Sequence, residues 1–492
     1  MQKRQNGWIA GLVFIIALVS VPVWYFTKAD DAVRGQIPDS AWDGVPRRAA
    51  PVDHSALMEG PFETGKDVTV ACLECHEDAA RQVMHTPHWT WESAPVELEG
   101  RDEPVVIGKK SAINNFCIGI QGNWDSCTAC HAGYGWTDET FDFGDEANVD
   151  CLVCHDNSGG YIKSKAGLPA AGVDLLAAAK SVALPTRENC GSCHFRGGGG
   201  DAVKHGDLDE SLYYPEEHVD VHMGRYDFQC IDCHKTEDHL ISGRSISVSI
   251  DHENQIACTD CHSERLHADQ RINAHTESVA CQTCHIPEVA VHQATKTHWD
   301  WSTAGDDERE EATHEYLKIK GSFVYEKNLK PEFVWYNGHA DRYLLGDPVA
   351  EEGMTALNPP KGDIRDPEAK IWPFKVHRAM QPYDTENRYL MQPVTAGEGG
   401  FWREFNWDQA IQLGSEVTGM DYSGEFGFAA TSMYWPQTHM VAPKEQALQC
   451  KACHCERGCI DWEAIGYPGD PLKWGSRNRI HREDLAGAGE QR

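Results

Sequence analysis

Basic residues are scarce in this chain of 492 residues, which carries 44 Lys and Arg against 76 Asp and Glu and has a formal net charge of −32. This excludes a general nucleic-acid-binding protein, whose surface is positive, and an anionic substrate would need a local positive pocket. Apolar residues are also few, at 41%, so side chains alone supply a large core poorly. The 16 Trp, 15 Tyr and 15 Phe still exclude a disordered chain. Something other than side chains must therefore fill the interior.

Long hydrophobic runs are absent except for one, the 19 residues Trp8–Phe26, which Lys3 and Arg4 precede. Secretory signal cores have about 7–15 residues and membrane-spanning helices about 17–25. We therefore predict an N-terminal membrane anchor over residues 1–28, with a cleaved signal peptide as the alternative. In both cases the positive-inside rule exports the rest of the chain. The expected location is the periplasmic side of the inner membrane, where covalent haem attachment and disulfides are possible.

Cysteine and histidine, in contrast, are abundant, with 19 and 25 residues, and 16 of the cysteines form eight Cys-x-x-Cys-His units. Two thiols at this spacing can each form a thioether to one haem, and the adjacent histidine then binds the iron as its proximal ligand. Zinc sites would not require a histidine after every pair, and a redox-active pair would not recur eight times. We predict eight covalently bound haem c groups. Their attachment cysteines are Cys72, Cys75, Cys127, Cys130, Cys151, Cys154, Cys190, Cys193, Cys230, Cys233, Cys258, Cys261, Cys281, Cys284, Cys450 and Cys453. Their proximal ligands are His76, His131, His155, His194, His234, His262, His285 and His454.

Each iron has a second axial position, for which the 17 remaining histidines are candidates. An electron carrier would saturate all eight irons, whereas a catalyst would leave at least one position different. Most of our distal candidates precede or follow a unit within a few residues, and one lies in the long stretch without units. The predicted distal ligands are His88, His222, His239, His267, His275, His377 and His439, with His85 and His205 as the next choices.

The spacing of the units divides the chain. Residues 29–60 form a polar linker with Pro38, Pro46 and Pro51, and residues 61–300 bind haem through seven units. Residues 301–484 form an aromatic-rich region that supplies distal ligands and carries the eighth unit, and residues 485–492 are a Gly- and Ala-rich tail. The predicted fold class is a multihaem cytochrome c. We expect mainly α-helix and coil with little β structure, wrapped around stacked covalent haems.

Three cysteines lie outside the units: Cys117, Cys455 and Cys459. The last two are four residues apart and could form a disulfide in an oxidising compartment. Cys117 is then unpaired, and is either a buried inert thiol or a reactive one. It lies ten residues before Cys127 and could fold over the second haem.

A run of four glycines, Gly197–Gly200, follows the fourth unit and precedes Lys204. Glycines let the backbone pass close to a flat ring, and a desolvated lysine amine can become an iron ligand. The ordinary alternative is a solvated lysine.

The eight-unit layout, Asn114-Asn-Phe-Cys117 before the second unit, and the glycine-rich loop with Lys204 resemble the octahaem tetrathionate reductase family. Cys281-Gln-Thr-Cys-His-Ile-Pro287 followed by Trp299-Asp-Trp-Ser-Thr-Ala-Gly305 adds to this resemblance, which covers about residues 65–480. It implies a catalytic haem at the second unit, with Lys204 as an iron ligand and with Cys117, Asn114 and Asp220 lining the pocket. Whether Lys204 lies opposite His131 or replaces it stays open. The N-terminal anchor departs from the soluble periplasmic form usual in the family.

The function that this resemblance implies is a terminal reductase. A membrane or periplasmic donor supplies electrons, and the substrate is a small oxidised sulfur or nitrogen anion: tetrathionate, or by related chemistry nitrite or hydroxylamine. Asn114 and Lys109 or Lys110 would stabilise anionic oxygens, and Asp220 or His218 would deliver protons. The alternatives are a non-catalytic electron-transfer protein with two histidines on every iron, and an oxidase that runs the reaction in reverse.

Overall fold

The computed structural model describes residues 42, 45, 47–48, 50–98, 100–115, 119–246 and 254–478. The predicted anchor, the tail at 485–492 and Cys117 lie outside the described residues. Among the helices that are described, none has the length and hydropathy that crossing a bilayer requires.

The helices of the described chain are short, because the haem-attachment units and the Gly and Pro residues between them interrupt the backbone. The longest, Trp407–Thr418, begins at Asn406, whose side chain accepts the Gln409 N–H, and ends at Gly419 with a positive φ of 71°. The helices are α1 Gly65–Leu73, α2 Ala79–Met84, α3 Pro87–Thr90, α4 Trp124–Cys127, α5 Leu152–His155, α6 Leu175–Lys180, α7 Arg187–His194, α8 Val221–Tyr226, α9 Cys230–Cys233, α10 Gln270–His275, α11 Cys281–His285, α12 Phe401–Glu404, α13 Trp407–Thr418, α14 Cys450–Cys453 and α15 Pro471–Trp474.

The region without attachment units contains a seven-stranded sheet, so the expectation of little β structure is not confirmed. A hairpin of β1 Thr236–Glu237 and β2 Leu240–Ile241 is separate from it. The sheet strands are β3 Thr295–Asp300, β4 Tyr316–Leu317, β5 Gly321–Glu326, β6 Glu332–Tyr336, β7 Thr355–Ala356, β8 Lys370–Asp384 and β9 Phe426–Pro436. They lie in the order β4-β5-β3-β8-β9-β7, and β6 pairs with β8.

The long strand β8 is the centre of this sheet. It pairs antiparallel with β9 from Phe374 to Asp384, with His377 opposite Met433, and it runs parallel to β3, where His298 lies opposite Arg378. Its first five residues pair with β6. Phe374 and Val376 pack in a buried cluster with Leu357, Trp435 and Val203, the residue before Lys204. The sheet therefore holds the glycine-rich loop from the side of β8 and β9.

The chain divides into two compact units. The smaller unit consists of Ile256–Val279 and the described part of Met1–Arg48, and it carries the sixth attachment unit and helix α10. The larger unit consists of Ala49–Gln255 and the described part of Ala280–Arg492, with the other seven attachment units and both sheets.

Candidate haem and active sites

The Cys-x-x-Cys-His units fold into tight turns that keep two thiols and an imidazole together, as attachment of one haem requires. In five units the histidine N–H donates to the carbonyl oxygen of the first cysteine. These bonds are His76 to Cys72 at 3.0 Å, His155 to Cys151 at 3.1 Å, His234 to Cys230 at 2.8 Å, His262 to Cys258 at 2.9 Å and His454 to Cys450 at 2.8 Å. His131 instead donates to Thr128, at 2.9 Å.

Four of the motif histidines face a second histidine at a nearly constant distance. The ring centroids are 6.3 Å apart for His54 and His76, 6.4 Å for His155 and His239, 6.1 Å for His88 and His194, and 6.2 Å for His234 and His439. Two iron–nitrogen bonds of about 2 Å each and the depth of two imidazole rings add up to roughly 6 Å. The four pairs therefore fit the two axial ligands of one iron.

The second nitrogen of many of these rings is already engaged. Nδ1 lies 2.8 Å from a backbone carbonyl oxygen in His54, His155 and His234, 2.8 Å from the Gln82 side-chain oxygen in His239, and 3.2 Å from the Asp207 carboxylate in His439. Such a contact fixes the tautomer and leaves Nε2 as the ligand atom, which is the usual arrangement of a metal-binding histidine. The donor set thus fits haem iron.

The environment of His88 and His194 also fits an enclosed cofactor. Burial lowers the pKa of both imidazoles, that of His194 to about 3, although both rings retain exposed surface. Side chains that are surrounded by other atoms and still have accessible surface line an internal cavity. A flat apolar macrocycle would fill this cavity, because the apolar side chains are too few to do so.

Thiols from different attachment units lie close enough to shift one another's pKa. The pairs are Cys72 with Cys151, Cys130 with Cys193, and Cys190 with Cys230. The first unit is therefore adjacent to the third, and the fourth is adjacent to both the second and the fifth. Haems attached there would form short chains suited to electron transfer.

His131 is the exception among the eight motif histidines, all of which the structure describes. Its ring is completely buried, whereas the other seven histidines are at least partly exposed. Its Nε2 lies 2.7 Å from the Trp89 carbonyl oxygen, and its Nδ1 is buried without a hydrogen-bond partner in the described chain. Burial lowers its pKa to about 3, so the ring is neutral and donates from Nε2. Aromatic rings surround it with centroids 4.7–6.0 Å away: Trp89, Trp91, Trp136, Phe141 and Phe143.

Lys204 lies near the thiols of this same second unit. Gly198 and Gly199 in the preceding loop have φ values of 79° and 94°, which glycine adopts without strain. The Lys204 ammonium nitrogen is 5.0 Å from the centroid of the Trp435 ring. Burial, and then the charge of Lys109, lower its pKa to about 7, while the Cys130 thiolate acts in the opposite direction. An amine with this pKa is readily available as the neutral form that iron binds.

Lys375 on β8 fastens the backbone of the Lys204 segment. Its side chain is 3% exposed, and its Nζ donates to the carbonyl oxygens of Val203 at 3.0 Å and Lys204 at 3.1 Å and to the Thr295 hydroxyl. All three donor positions of the ammonium group are thereby used. Lys375 thus holds the loop that presents Lys204.

Replacing Lys375 with Met is expected to loosen this loop, because three buried acceptors would lose their donor. A buried polar group left unsatisfied costs about 1–3 kcal/mol, so the free energy of unfolding should fall by a few kcal/mol. Guanidinium denaturation measures the loss, and limited proteolysis should cut faster at Gly197–Gly200. Arg378→Gln, which removes an exposed ion pair with Glu332, is the control on the same strand. Equal proteolysis of both variants would contradict the role of Lys375.

Asn115 and His377 form a buried pair close to predicted pocket residue Asn114. The His377 Nδ1 is 3.0 Å from the Asn115 side-chain oxygen, and the Asn115 amide donates to the His377 carbonyl oxygen at 2.9 Å. The Asn114 carbonyl oxygen accepts from Gln381 at 2.8 Å. The His377 Nε2 is buried and unpartnered in the described chain, with Nδ1 engaged as in the paired histidines above. No motif histidine there faces its ring, so the distal role of His377 stays a prediction.

Asp220 serves as the N-cap of α8. One carboxylate oxygen accepts the N–H groups of His222 and Met223 at 2.9 Å, and the other accepts the Val441 N–H at 3.1 Å. This is a structural arrangement, and the proton-donor hypothesis gains no support from it. The exposed His218 lies 3.4 Å from Glu216.

Asp201 is an acid that our sequence reasoning missed. It lies three residues before Lys204, and burial raises its pKa to about 6 although the Glu210 N–H bond lowers it. Its position at the end of the glycine run was the available signal. A carboxyl group with this pKa suits proton delivery near neutral pH.

The remaining predicted ligands fall in several places. The His222 Nδ1 lies 3.9 Å from the Asp220 carboxylate. In the smaller unit, the His275 Nδ1 lies 2.6 Å from the Arg271 carbonyl oxygen. In the larger unit, the His85 Nδ1 lies 2.6 Å from the Arg81 carbonyl oxygen. His267 donates its backbone N–H to Asn273. His205 lies edge-on to Trp435 at 4.9 Å. The axial roles predicted for His222, His267 and His275 stay predictions. His54, in the region read as a linker, was missed.

The predicted disulfide between Cys455 and Cys459 is absent, since both thiols are free. The Cys459 sulfur instead lies 3.7 Å from that of Cys453, the second attachment cysteine of the eighth unit. The chain turns back over its own attachment site rather than closing a small loop.

Comparisons with known proteins agree with this geometry. The family model described as bacterial cytochrome c matches residues 296–457. An uncharacterized protein of Archaeoglobus fulgidus is 26% identical over 246 residues, covering 40% of this chain and 82% of that protein. The crystal structure of the octahaem cytochrome c of Shewanella oneidensis is 50% identical with a TM-score of 0.81, covering 86% of this chain and 98% of that one.

The attachment units, the paired imidazoles and these likenesses define a multihaem cytochrome c with covalently bound haem, a protein of electron transfer and redox chemistry. Over nearly the whole length of the Shewanella protein the two chains correspond at half of their positions. The chain belongs to the octahaem cytochrome c family, as the resemblance to the octahaem tetrathionate reductases indicated.

Proposed function

We propose that this protein is an octahaem reductase in which the haem attached to Cys127 and Cys130 takes Lys204, in place of His131, as its axial ligand. The observation that carries the proposal is the state of His131. Its Nε2 is engaged by the Trp89 carbonyl oxygen inside an aromatic cage, while the Lys204 amine lies near Cys130 with a pKa of about 7. The second axial position of that haem is then available for substrate.

The other seven haems are proposed to carry two histidines each and to conduct electrons. Four assignments rest on the ring pairs: His54 for the first unit, His239 for the third, His88 for the fourth and His439 for the fifth. For the sixth, seventh and eighth units the candidates remain His222, His267, His275 and His377. The thiols of the second and fourth units, Cys130 and Cys193, shift each other's pKa, which supports the fourth haem as a supply of electrons to the catalytic one.

The proposed substrate is a small oxidised sulfur or nitrogen anion. For tetrathionate, two electrons cleave the central S–S bond and two thiosulfate ions form, with no proton consumed. The haem would supply the electrons. The Cys117 thiolate would attack one central sulfur, release the first thiosulfate and hold the second half as a mixed disulfide until two electrons free it. Asn114 and Lys109 would stabilise the oxygens, and the same pocket suits nitrite or hydroxylamine.

Location and partners are also proposals. The run Trp8–Phe26 supports anchoring on the periplasmic side of the inner membrane, where a membrane or periplasmic donor would deliver electrons. The alternative function is a non-catalytic electron carrier, which the four imidazole pairs would suit equally well. Binding of CO to the reduced protein separates the two, because a carrier with two histidines on every iron would bind none.

Turnover with reduced viologen tests the proposal directly. We expect the wild type to reduce tetrathionate and Cys117→Ala to lose that activity by at least about 100-fold, because the thiolate nucleophile is gone. Nitrite and hydroxylamine reduction should persist, since they need no sulfur exchange. Cys455→Ala is the matched control, because Cys455 is a free thiol and also lies outside the attachment units. Unchanged tetrathionate rates in Cys117→Ala would remove this thiol from the mechanism.

A further inference from the structure

Arg342 is a buried cation whose side chain the described chain leaves unsatisfied. It is 2% exposed, and its Nε, Nη1 and Nη2 atoms are all buried without a hydrogen-bond partner in the described residues. A guanidinium group carries five N–H donors and stays charged in proteins. Burying such a group without a partner is costly, so an anionic group is expected to meet it.

The backbone around Arg342 is held rigidly. Its N–H donates to the Asp341 carboxylate at 2.8 Å, and its carbonyl oxygen accepts from Arg101, which also pairs with Asp347 at 2.9 Å. The Tyr343 N–H donates to the Leu357 carbonyl oxygen at 2.9 Å. The backbone of this segment is fixed on both sides, and with the residue 2% exposed the guanidinium group does not reach the outer surface. It is a preorganised donor.

Arg342 is close to the pocket proposed above. Its neighbours Ala340 and Tyr343 pack in the same buried cluster as Val203 and Trp435. Val203 precedes Lys204 in the chain, and the Trp435 ring centroid lies 5.0 Å from the Lys204 ammonium nitrogen. The charge of Arg342 also acts on Lys204. On its other side, the Leu345 N–H donates to the Ser111 carbonyl oxygen at 3.0 Å, two residues from Lys109.

Three cationic side chains thus converge in a chain with a net charge of −32. The charges of Lys109 and Arg342 both act on Lys204, and the Lys109 ammonium lies 3.3 Å from the Trp91 ring centroid. Fixed positive charge in a low-dielectric pocket favours anions over neutral molecules.

We propose that Arg342 binds the anionic oxygens of the substrate and makes the pocket selective for oxyanions over neutral substrates. This rests on the proposed function and deepens it, because it ranks its candidates: tetrathionate and nitrite are anions, whereas hydroxylamine is neutral near pH 7. Arg342 is then a specificity residue, whose contribution differs between substrates of the same haem.

A propionate of the haem is the other source of carboxylate oxygen that could meet this guanidinium group, and the experiment separates the two. In viologen-linked turnover, Arg342→Gln is expected to raise KM for tetrathionate and nitrite by about 10- to 100-fold, the effect of losing a charge-assisted contact, with KM for hydroxylamine unchanged. Arg342→Lys should recover part of the loss. Arg378→Gln, with its exposed partner Glu332, is the arginine control.

Equal losses on all three substrates, or no loss on any, would overturn the role of Arg342. A shifted haem midpoint potential with unchanged KM values would assign the guanidinium to a propionate and overturn it too. If the wild type reduces none of the three, the proposed function fails. In that case, a spectral titration of the oxidised protein with nitrite tests whether Arg342 binds anions. Arg342→Gln must weaken nitrite binding at least about 10-fold, and a smaller effect would overturn the role of Arg342.

Discussion

Replacing Lys204 with Met should remove the axial nitrogen of the catalytic haem and reduce turnover of every substrate by more than about 100-fold. His131→Gln should retain most activity and the wild-type spectrum, because glutamine can still donate to the Trp89 carbonyl oxygen but supplies no imidazole. The difference follows from their surroundings: His131 is fully buried with Nε2 2.7 Å from that oxygen, whereas the Lys204 amine lies near Cys130. Near-infrared magnetic circular dichroism, which distinguishes amine from imidazole ligands, is the measurement.

His234→Gln is the control for this comparison, since His234 faces His439 at 6.2 Å and should be a true iron ligand. Loss of one low-spin haem in His234→Gln, but not in His131→Gln, is the expected pattern. Protein mass verifies beforehand that every variant carries the full number of haems. A wild-type spectrum in Lys204→Met, or loss of the catalytic haem signal in His131→Gln, would show that the motif histidine is the ligand.

The attachment residues could be predicted from the sequence because thioether formation is a local requirement. The pairing of axial ligands could not, because it depends on the folded chain. His88 follows the first unit in sequence but faces His194 of the fourth, and His54 reaches His76 from a segment that has the composition of a linker. The distance in sequence from an attachment unit therefore identifies some axial-ligand candidates, but not the haem whose iron each of them binds.

The sheet was missed for a different reason. Strand β8 contains Pro373 and Pro382, which in a sequence argue against a central strand. Its burial is nearly continuous instead of alternating, because partner strands and packed loops cover it on both sides. The same strand carries Lys375 and His377 to the Lys204 segment and Asn115. Long-range pairing thus decides both the fold and the part of the site that local motifs leave open.

The equivalence of the eight units is also only local. The second unit has the same Cys-x-x-Cys-His sequence as the others. Its histidine, His131, is nevertheless surrounded by aromatic rings from two chain segments. The resemblance to reductases drew attention to Lys204, but the proposed replacement of His131 rests on the burial and hydrogen bonding of that histidine in the folded chain.

Helix α3 connects the two haems on which catalysis should depend. His88 faces His194 at 6.1 Å, and the next residue, Trp89, engages His131 through its carbonyl oxygen. We therefore expect His88→Ala to open the fourth iron beside the catalytic haem. The reduced protein should bind CO at two haems instead of one, and turnover should fall steeply because the proposed electron path to the Lys204 haem runs through the fourth. CO difference spectra and viologen-linked rates measure both effects.

His314→Ala is the control, because His314 is an exposed histidine outside the axial-ligand candidates and lies against the Tyr325 ring, with centroids 4.6 Å apart. It should leave CO stoichiometry and turnover unchanged. A second CO-binding haem with full turnover in His88→Ala would keep the ligand assignment but remove the fourth haem from the electron path. Unchanged CO binding would refute the assignment itself, since an iron that loses one of two axial imidazoles must gain an open position.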